Sequence, residues 1–275
     1  MDMEHISRGE QVKIYAGKCF RLFRNEKGWS SFISSAIIAV IICSVTGEKT
    51  FVAFNDTRNG AFALVCACIW IGLFNSIQSV CRERDIIKRE HRTGLHVSSY
   101  VLAHMLYEMT LCAVETLIVT VIIFIRNWGH TPEEPLVFPI ALELFLTFFL
   151  IVYSSDILGL AISCIVKTPN IAMTVMPFVL IIQLVMSGMI FKLQGAAEQI
   201  AKVTISKWGL QAICSTANVN ALETDVFFLL TEEMEKNYKH EPGHLWAMWA
   251  VLIAYTILYG IIGVIALKFV DKDQR

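Results

Sequence analysis

Four carboxylates stand in otherwise apolar surroundings in this chain: Glu108, Glu115, Glu143 and Asp156. An acidic group inside a membrane-length apolar stretch is expensive, and it faces protein, water or a partner. At a helical rise of about 1.5 Å per residue, Glu108 and Asp156 fall at similar depth on successive stretches and make a candidate intramembrane polar cluster. A structural network with neighbouring Ser, Tyr or His104 is the plainer role for it, and proton coupling the sharper one. The eight cysteines promise less. Cys66 and Cys68 lack further ligands at tetrahedral spacing, so no metal site is expected. Cys214 alone falls in a segment able to form an external disulfide, and a buried thiol is the better expectation. Phosphate-binding G-x-x-x-x-G-K-[ST], H-E-x-x-H, C-x-x-C and G-x-S-x-G motifs do not occur. No interleaving of basic and aromatic residues points to nucleic acid. The chain is not expected to be an enzyme.

The densest charge lies elsewhere. Seven of the nine positions from Arg82 to Glu90 are charged, directly after residues 59–81, which carry no charge. A short charged helix held against a membrane surface serves as a docking surface or a lever; the alternative is a helix bound to anionic lipid.

The elements that position these residues follow from hydropathy. The sequence has 275 residues, 55% hydrophobic, which is too apolar for a soluble domain of this size. Residues 28–47, 59–81, 168–191 and 242–267 are charge-free. About 20 apolar residues cross a bilayer as a helix. Stretches 98–125 and 136–166 are long enough despite their acidic residues, so six transmembrane helices are expected, the fifth kinked at Pro177. Before them, residues 6–28 read as an amphipathic helix. Val12, Tyr15, Ala16, Cys19, Phe20 and Phe23 form its apolar face and Lys13, Arg21 and Arg24 the other, which suits the membrane interface. The segment 192–243 is a long outer loop. Its first part, 193–222, is read as short helices dipping into the leaflet, and Glu223–His240 as an acidic, solvent-facing remainder. Asn55-Asp56-Thr57 is a formal glycosylation sequon in a short loop, expected to be unmodified.

Lys and Arg number 15 in the segments on the side of the N-terminus and 8 on the other. The positive-inside rule then puts both termini in the cytoplasm. The whole of 1–275 reads as one membrane domain, with 1–28 as its cytoplasmic connecting helix and 29–270 as the six-span bundle.

At the charged loop the chain resembles the membrane domains of G-subfamily ABC transporters and related type-2 ABC exporter permeases. The residues that carry the resemblance are Glu83-Arg84, Arg89-Glu90, Gly94 and Ser98-Ser99-Tyr100, with Ser187-Gly188-Met189-Ile190 closing the fifth span and Trp208-Gly209 beyond it. The family pattern departs from this sequence at Asp156, where it shows a small polar residue. It departs also in the ATPase domain that members usually carry on the same polypeptide; the start at Met1 points to a separately encoded permease subunit.

The resemblance implies that two such domains pair, as a homodimer, above two ATPases that hold ATP and magnesium; this chain holds no cofactor. Glu83, Arg84, Asp85, Ile86, Ile87, Lys88, Arg89, Glu90 and Gly94 form the coupling helix, its charges and the Ile86-Ile87 pair meeting an ATPase cleft. Lys167–Asn170 make a second, smaller contact, and the amphipathic helix braces the first. Cys68, Ile71 and Phe74 on span two, with Ile181 and Leu184 on span five, line a central slit closed by Met189 and Ile190. Such an apolar lining suits a hydrophobic or amphipathic substrate exported by alternating access across a bacterial plasma membrane. A highly charged solute would find few partners there. Two other readings stay open on the residues: an ion-coupled transporter or channel using the buried acids, which lacks the expected inverted repeat, and a membrane anchor that only recruits an ATPase.

Overall fold

The computed structural model describes residues 7–269 apart from 27, 48, 133, 192 and 223–236, and within them it is built of helices. Helix α1 (Arg8–Asn25) starts on a capping box, in which the Ser7 hydroxyl accepts from the Glu10 N–H and the Glu10 carboxylate accepts from the Ser7 N–H. Then come α2 (Trp29–Val45), α3 (Phe54–Ser76), α4 (Ser79–Arg82), α5 (Arg84–Arg92), α6 (Val97–Arg126), α7 (Ile140–Ile165) and α8 (Pro169–Val185). Two short helices, α9 (Ala196–Ala201) and α10 (Ile205–Thr216), and a 3-10 turn at Val219–Ala221 precede α11 (Pro242–Leu267). The expected acidic stretch Glu223–His240 lies mostly outside the described residues.

Four stretches are long and apolar enough to cross a membrane: Phe54–Arg82, Val97–Arg126, Ile140–Ile165 and Pro242–Leu267. A bent pair, α1 with α2, makes a fifth candidate. This is short of the expected six. The difference has a local cause. Helices α2 and α8 stand at the first and fifth positions, but each has only 17 residues. The chain leaves α2 for extended backbone at Thr46, and α8 gives way to Ser187-Gly188, where Gly188 has φ +80°. Helix α8 continues through Pro177 as one element.

The core is the pairing of α3 with α7 and of α7 with α11. Gly72 and Gly159 let α3 and α7 approach. A Cβ on Gly72 would sit 2.2 Å from the Val152 carbonyl oxygen, and one on Gly159 would sit 2.6 Å from Ser76 Oγ. The Ser76 hydroxyl donates to the Asp156 carbonyl at 2.5 Å. Where α3 breaks into α4, Ser163 Oγ of α7 accepts from the N–H groups of Val80 and Cys81, at 3.1 and 3.0 Å, satisfying donors that the break exposes. Across α7 and α11, Ser154 donates to the Leu252 carbonyl and Trp249 Nε1 donates to Thr147. Helix α10 wedges against α3, α7 and α11 and is buried almost throughout, Cys214 included. It is therefore a packed element, more deeply set than a helix dipping into lipid. The sequon falls on the first turn of α3, with the Thr57 side chain fully buried.

Candidate functional site

Helices α1, α5 and the start of α6 form one tightly bonded unit. Gln11 of α1 clasps the α5–α6 turn from both sides: its Nε2 donates to the Gly94 carbonyl at 3.2 Å, and its Oε1 accepts from the His96 N–H at 3.0 Å. Gly94 makes that turn at φ +110°, a conformation open to glycine and strained for other residues. One turn along α1, the Tyr15 hydroxyl donates to Glu90 at 2.9 Å. Burial and the Glu90 carboxylate together hold the Tyr15 hydroxyl well above the usual tyrosine range. Three residues on, Lys18 Nζ meets Glu83 at 2.8 Å, and Tyr100 of α6 donates to the same carboxylate at 3.1 Å. The same end of α5 is held from α7 as well. Arg84 donates to the carbonyls of Cys164 and Val166, at 2.8 and 2.9 Å, where α7 ends.

These contacts divide the expected coupling residues into two sets. Glu83, Arg84, Glu90 and Gly94 serve the frame that holds α5. Ile87 is 0% exposed and packs into the core beneath it, so the expected Ile86-Ile87 anchor is half internal. Asp85, Ile86 and Arg89 are exposed, Ile86 at 46%, and Lys88 is half-buried. Lys167, Thr168 and Asn170, the expected second contact, are exposed next to the carbonyls that Arg84 holds.

The residues expected to line the central slit also divide. Cys68 is fully buried in the α3–α7 core, so it faces the wrong way for a slit. Ile71 is buried yet borders a cleft, and Phe74 on the same border is exposed. On α8, Ile181 is exposed and Leu184 half-buried. Met189 packs on the core while Ile190 stays exposed. The Met189 N–H donates to Ser187 Oγ at 3.2 Å, closing the Ser-Gly turn. The turn is fastened to α10 through Gln183, which accepts from the Ser206 N–H at its side chain and from the Ser206 hydroxyl at its carbonyl.

The acids are brought together as expected, and in more company. Asp156 Oδ2 accepts from the Cys112 thiol at 3.0 Å, and Glu108 lies against Asp156. Glu115 extends the group toward α2, accepting from Asn75 Nδ2 at 2.6 Å and from the Ser31 hydroxyl. Glu143 stands apart at the start of α7, where it accepts from the N–H groups of Val137 and Phe138 and so caps the preceding loop. Glu108 borders a cleft of about 810 Å³ between α1–α2 and α3–α6.

Two features of this site escape the sequence reading. The α1 clamp of Gln11, Tyr15 and Lys18 has a legible signal, since the three sit at spacings of four and three on one helix face. The serines Ser31 and Ser35 of α2, also one turn apart, mark the cleft wall; Ser31 and Asn75 bond each other at 3.2 Å across it.

A multi-pass, all-helical membrane domain with a short charged helix clamped at its surface is the form of a permease domain, the half of a transporter that carries the solute path. The family model for the ABC-2 type transporter matches residues 10–218, and the chain belongs to that family. It is also similar to an ABC transporter ATP-binding/permease protein of Mycobacterium tuberculosis, Rv1747, at 27% identity over 269 residues. That alignment covers 94% of this chain and 31% of the relative. The chain is thus a transmembrane permease domain of the ABC-2 type, and it spans about a third of the length of that relative.

Proposed function

We propose that this chain is the permease of an ATP-driven exporter, energised by a separate ATPase subunit and working as a homodimer. The six apolar helices α2, α3, α6, α7, α8 and α11 are its spans, the two shorter ones reaching about 25 Å each. Both termini lie in the cytoplasm of a bacterial cell. ATP and magnesium belong to the partner. The observation that carries this reading is the clamp around α5. Helix α5 is held at both ends by α1 and α7, and it presents Asp85, Ile86 and Arg89 outward beside Lys167. A helix bonded in this way transmits a push to α6 and α7 without melting, which a lipid-bound helix does not need to do.

The cargo path runs along Ile71, Phe74, Ile181 and Leu184 toward Met189 and Ile190, where each protomer faces its mate. Its apolar walls suit a hydrophobic or amphipathic substrate. The test is co-purification of the tagged chain from its native host in mild detergent. A stoichiometric ATPase that is lost with Ile86→Glu plus Arg89→Glu, while the chain itself keeps its yield, supports the reading. Recovery of this chain alone, active in vesicles without ATP, would overturn it in favour of the ion-coupled transporter.

A further inference from the structure

We propose that the cleft between α1–α2 and α3–α6 binds the cationic head of an amphiphile, an ammonium group on an apolar tail, with Glu108 as its counter-charge. This names the substrate class of the exporter proposed above, and it rests on that reading for the fate of the ligand but not for its binding. At about 810 Å³ the cleft is within the size range of small-molecule sites, roughly 300–1,000 Å³. Among the described residues its lining is more acidic than basic: Glu26, Glu83 and Glu108 border it, with Arg82, which donates to Gln78, on the other side of the balance. Glu83 already has Lys18 and Tyr100. Glu108 differs. It is 2% exposed, and its Oε2 has no hydrogen-bond partner among the described residues. An orphaned buried carboxylate oxygen is costly, and here a second carboxyl, Asp156, adjoins it. Two adjoining buried carboxyls do not both ionise; they share a proton, and the one negative charge left over is what a cation would meet.

The remaining lining selects which one. Phe23, Trp70, Phe74 and Tyr107 border the cleft, and aromatic faces attract an organic cation. Trp70 and Phe74 are half exposed, so they form a mouth for an apolar tail. A bare metal ion lacks a shell, since no group of three His, Cys, Asp or Glu is placed to hold one among the described residues. A neutral lipid would leave the Glu108 oxygen unmatched, and an anion would meet the carboxylates.

The experiment uses the full chain in phosphatidylcholine nanodiscs, with empty discs subtracted. The probes are dodecyltrimethylammonium, below its micelle concentration, and the uncharged dodecyl maltoside. The cation is expected to bind at least about tenfold more tightly than the neutral chain, and Glu108→Gln to remove about that factor for the cation alone. Trp70→Ala, at the exposed mouth, is expected to weaken both probes and serves where Glu108→Gln gives too little protein. Equal affinity for the two probes, or binding no greater than to empty discs, would overturn the proposal. So would cation binding unchanged by Glu108→Gln, which would make a proton the only partner of that carboxyl. Charge-selective binding in a chain that recruits no ATPase would instead keep the site and remove the exporter reading; a recruited ATPase with no charge selectivity would do the reverse.

Discussion

Ile86 and Ile87 are adjacent, chemically identical and opposite in role. The α-helix turns about 100° per residue, and α5 is held so that one side chain enters the core while the next leaves it. Ile87 is 0% exposed and Ile86 46%. Ile87→Ala should therefore cost about 2–4 kcal/mol through the lost contacts and the cavity left behind, and Ile87→Glu should abolish the folded protein. Ile86→Glu should leave stability within about 0.5 kcal/mol, as surface substitutions do, and remove ATPase binding. Thermal unfolding in detergent, followed by fluorescence and read beside the co-purification assay, separates the two. Equal effects of Ile86→Glu and Ile87→Glu on stability would remove Ile86 as a docking residue. The sequence shows two apolar residues in a charged run; only the helix phase, fixed by the Arg84 and Glu90 contacts, says which one is free to dock.

At the scale of elements, α1 is the brace and its clamp should be transferable. Lys18 and Glu83 are both partly buried and meet at 2.8 Å. Lys18→Glu puts two carboxylates together and should lower the melting temperature and the ATP-driven activity of the complex. The double variant Lys18→Glu with Glu83→Lys should recover most of both, because the pair is restored in reverse. The pair is worth only about 1 kcal/mol or less where both side chains still reach water, so the effect of the single change on coupling should exceed its effect on stability. A double variant no better than the single would mean that Glu83 serves Tyr100 alone. The amphipathic helix was legible because periodicity survives in a sequence, Tyr15 and Cys19 recurring at one face of 6–28; its bracing role came from the family resemblance, and the clamp of Gln11, Tyr15 and Lys18 went unread. The burial of α10 was not legible, since Ile205, Trp208, Leu210 and Ile213 give no hint of whether lipid or protein receives them. Gly209 held the clue. A Cβ there would lie 2.8 Å from Ile151, and tight approach of helix to helix is invisible until the neighbour is known. Cys68 fails as a slit residue for the same reason, because the spacing Cys68, Ile71, Phe74 fixes a helical face only when the facing helix, α7, is in place.

At the scale of the whole molecule, the apolar surface is unevenly used. Helix α7 is enclosed by α3, α6, α10 and α11, whereas α8 touches α3 and α10 lightly and leaves Phe178, Ile181 and Ile182 exposed. Helix α11 also exposes isoleucines, Ile253, Ile257 and Ile261, on one face at spacings of four. Both faces are apolar, so hydropathy alone does not distinguish lipid from protein. Their neighbours do. The α8 face stands beside Gln183, which accepts from the Ser206 N–H of α10, and the Ser187-Gly188 turn, where Ser187 donates to the Leu184 carbonyl; α8 also packs on α3, whose Trp70 and Phe74 are exposed. On α11 no described hydrogen bond ties Ile253, Ile257 or Ile261 to a neighbouring helix, and the exposed Leu258 widens the apolar face. If two copies meet across α3 and α8, a cysteine at Ile181 lies near its symmetry mate and one at Ile257 faces lipid. With the native cysteines buried apart from the half-buried Cys66, Ile181→Cys should give a disulfide-linked dimer on mild oxidation in native membranes, and Ile257→Cys should stay monomeric on the same gel. Cross-linking at Ile257 and none at Ile181 would place the partner against α11. The slit through Phe74 and Ile181 would then open to lipid, and the cleft at Glu108 would have to receive its ligand from the bilayer directly.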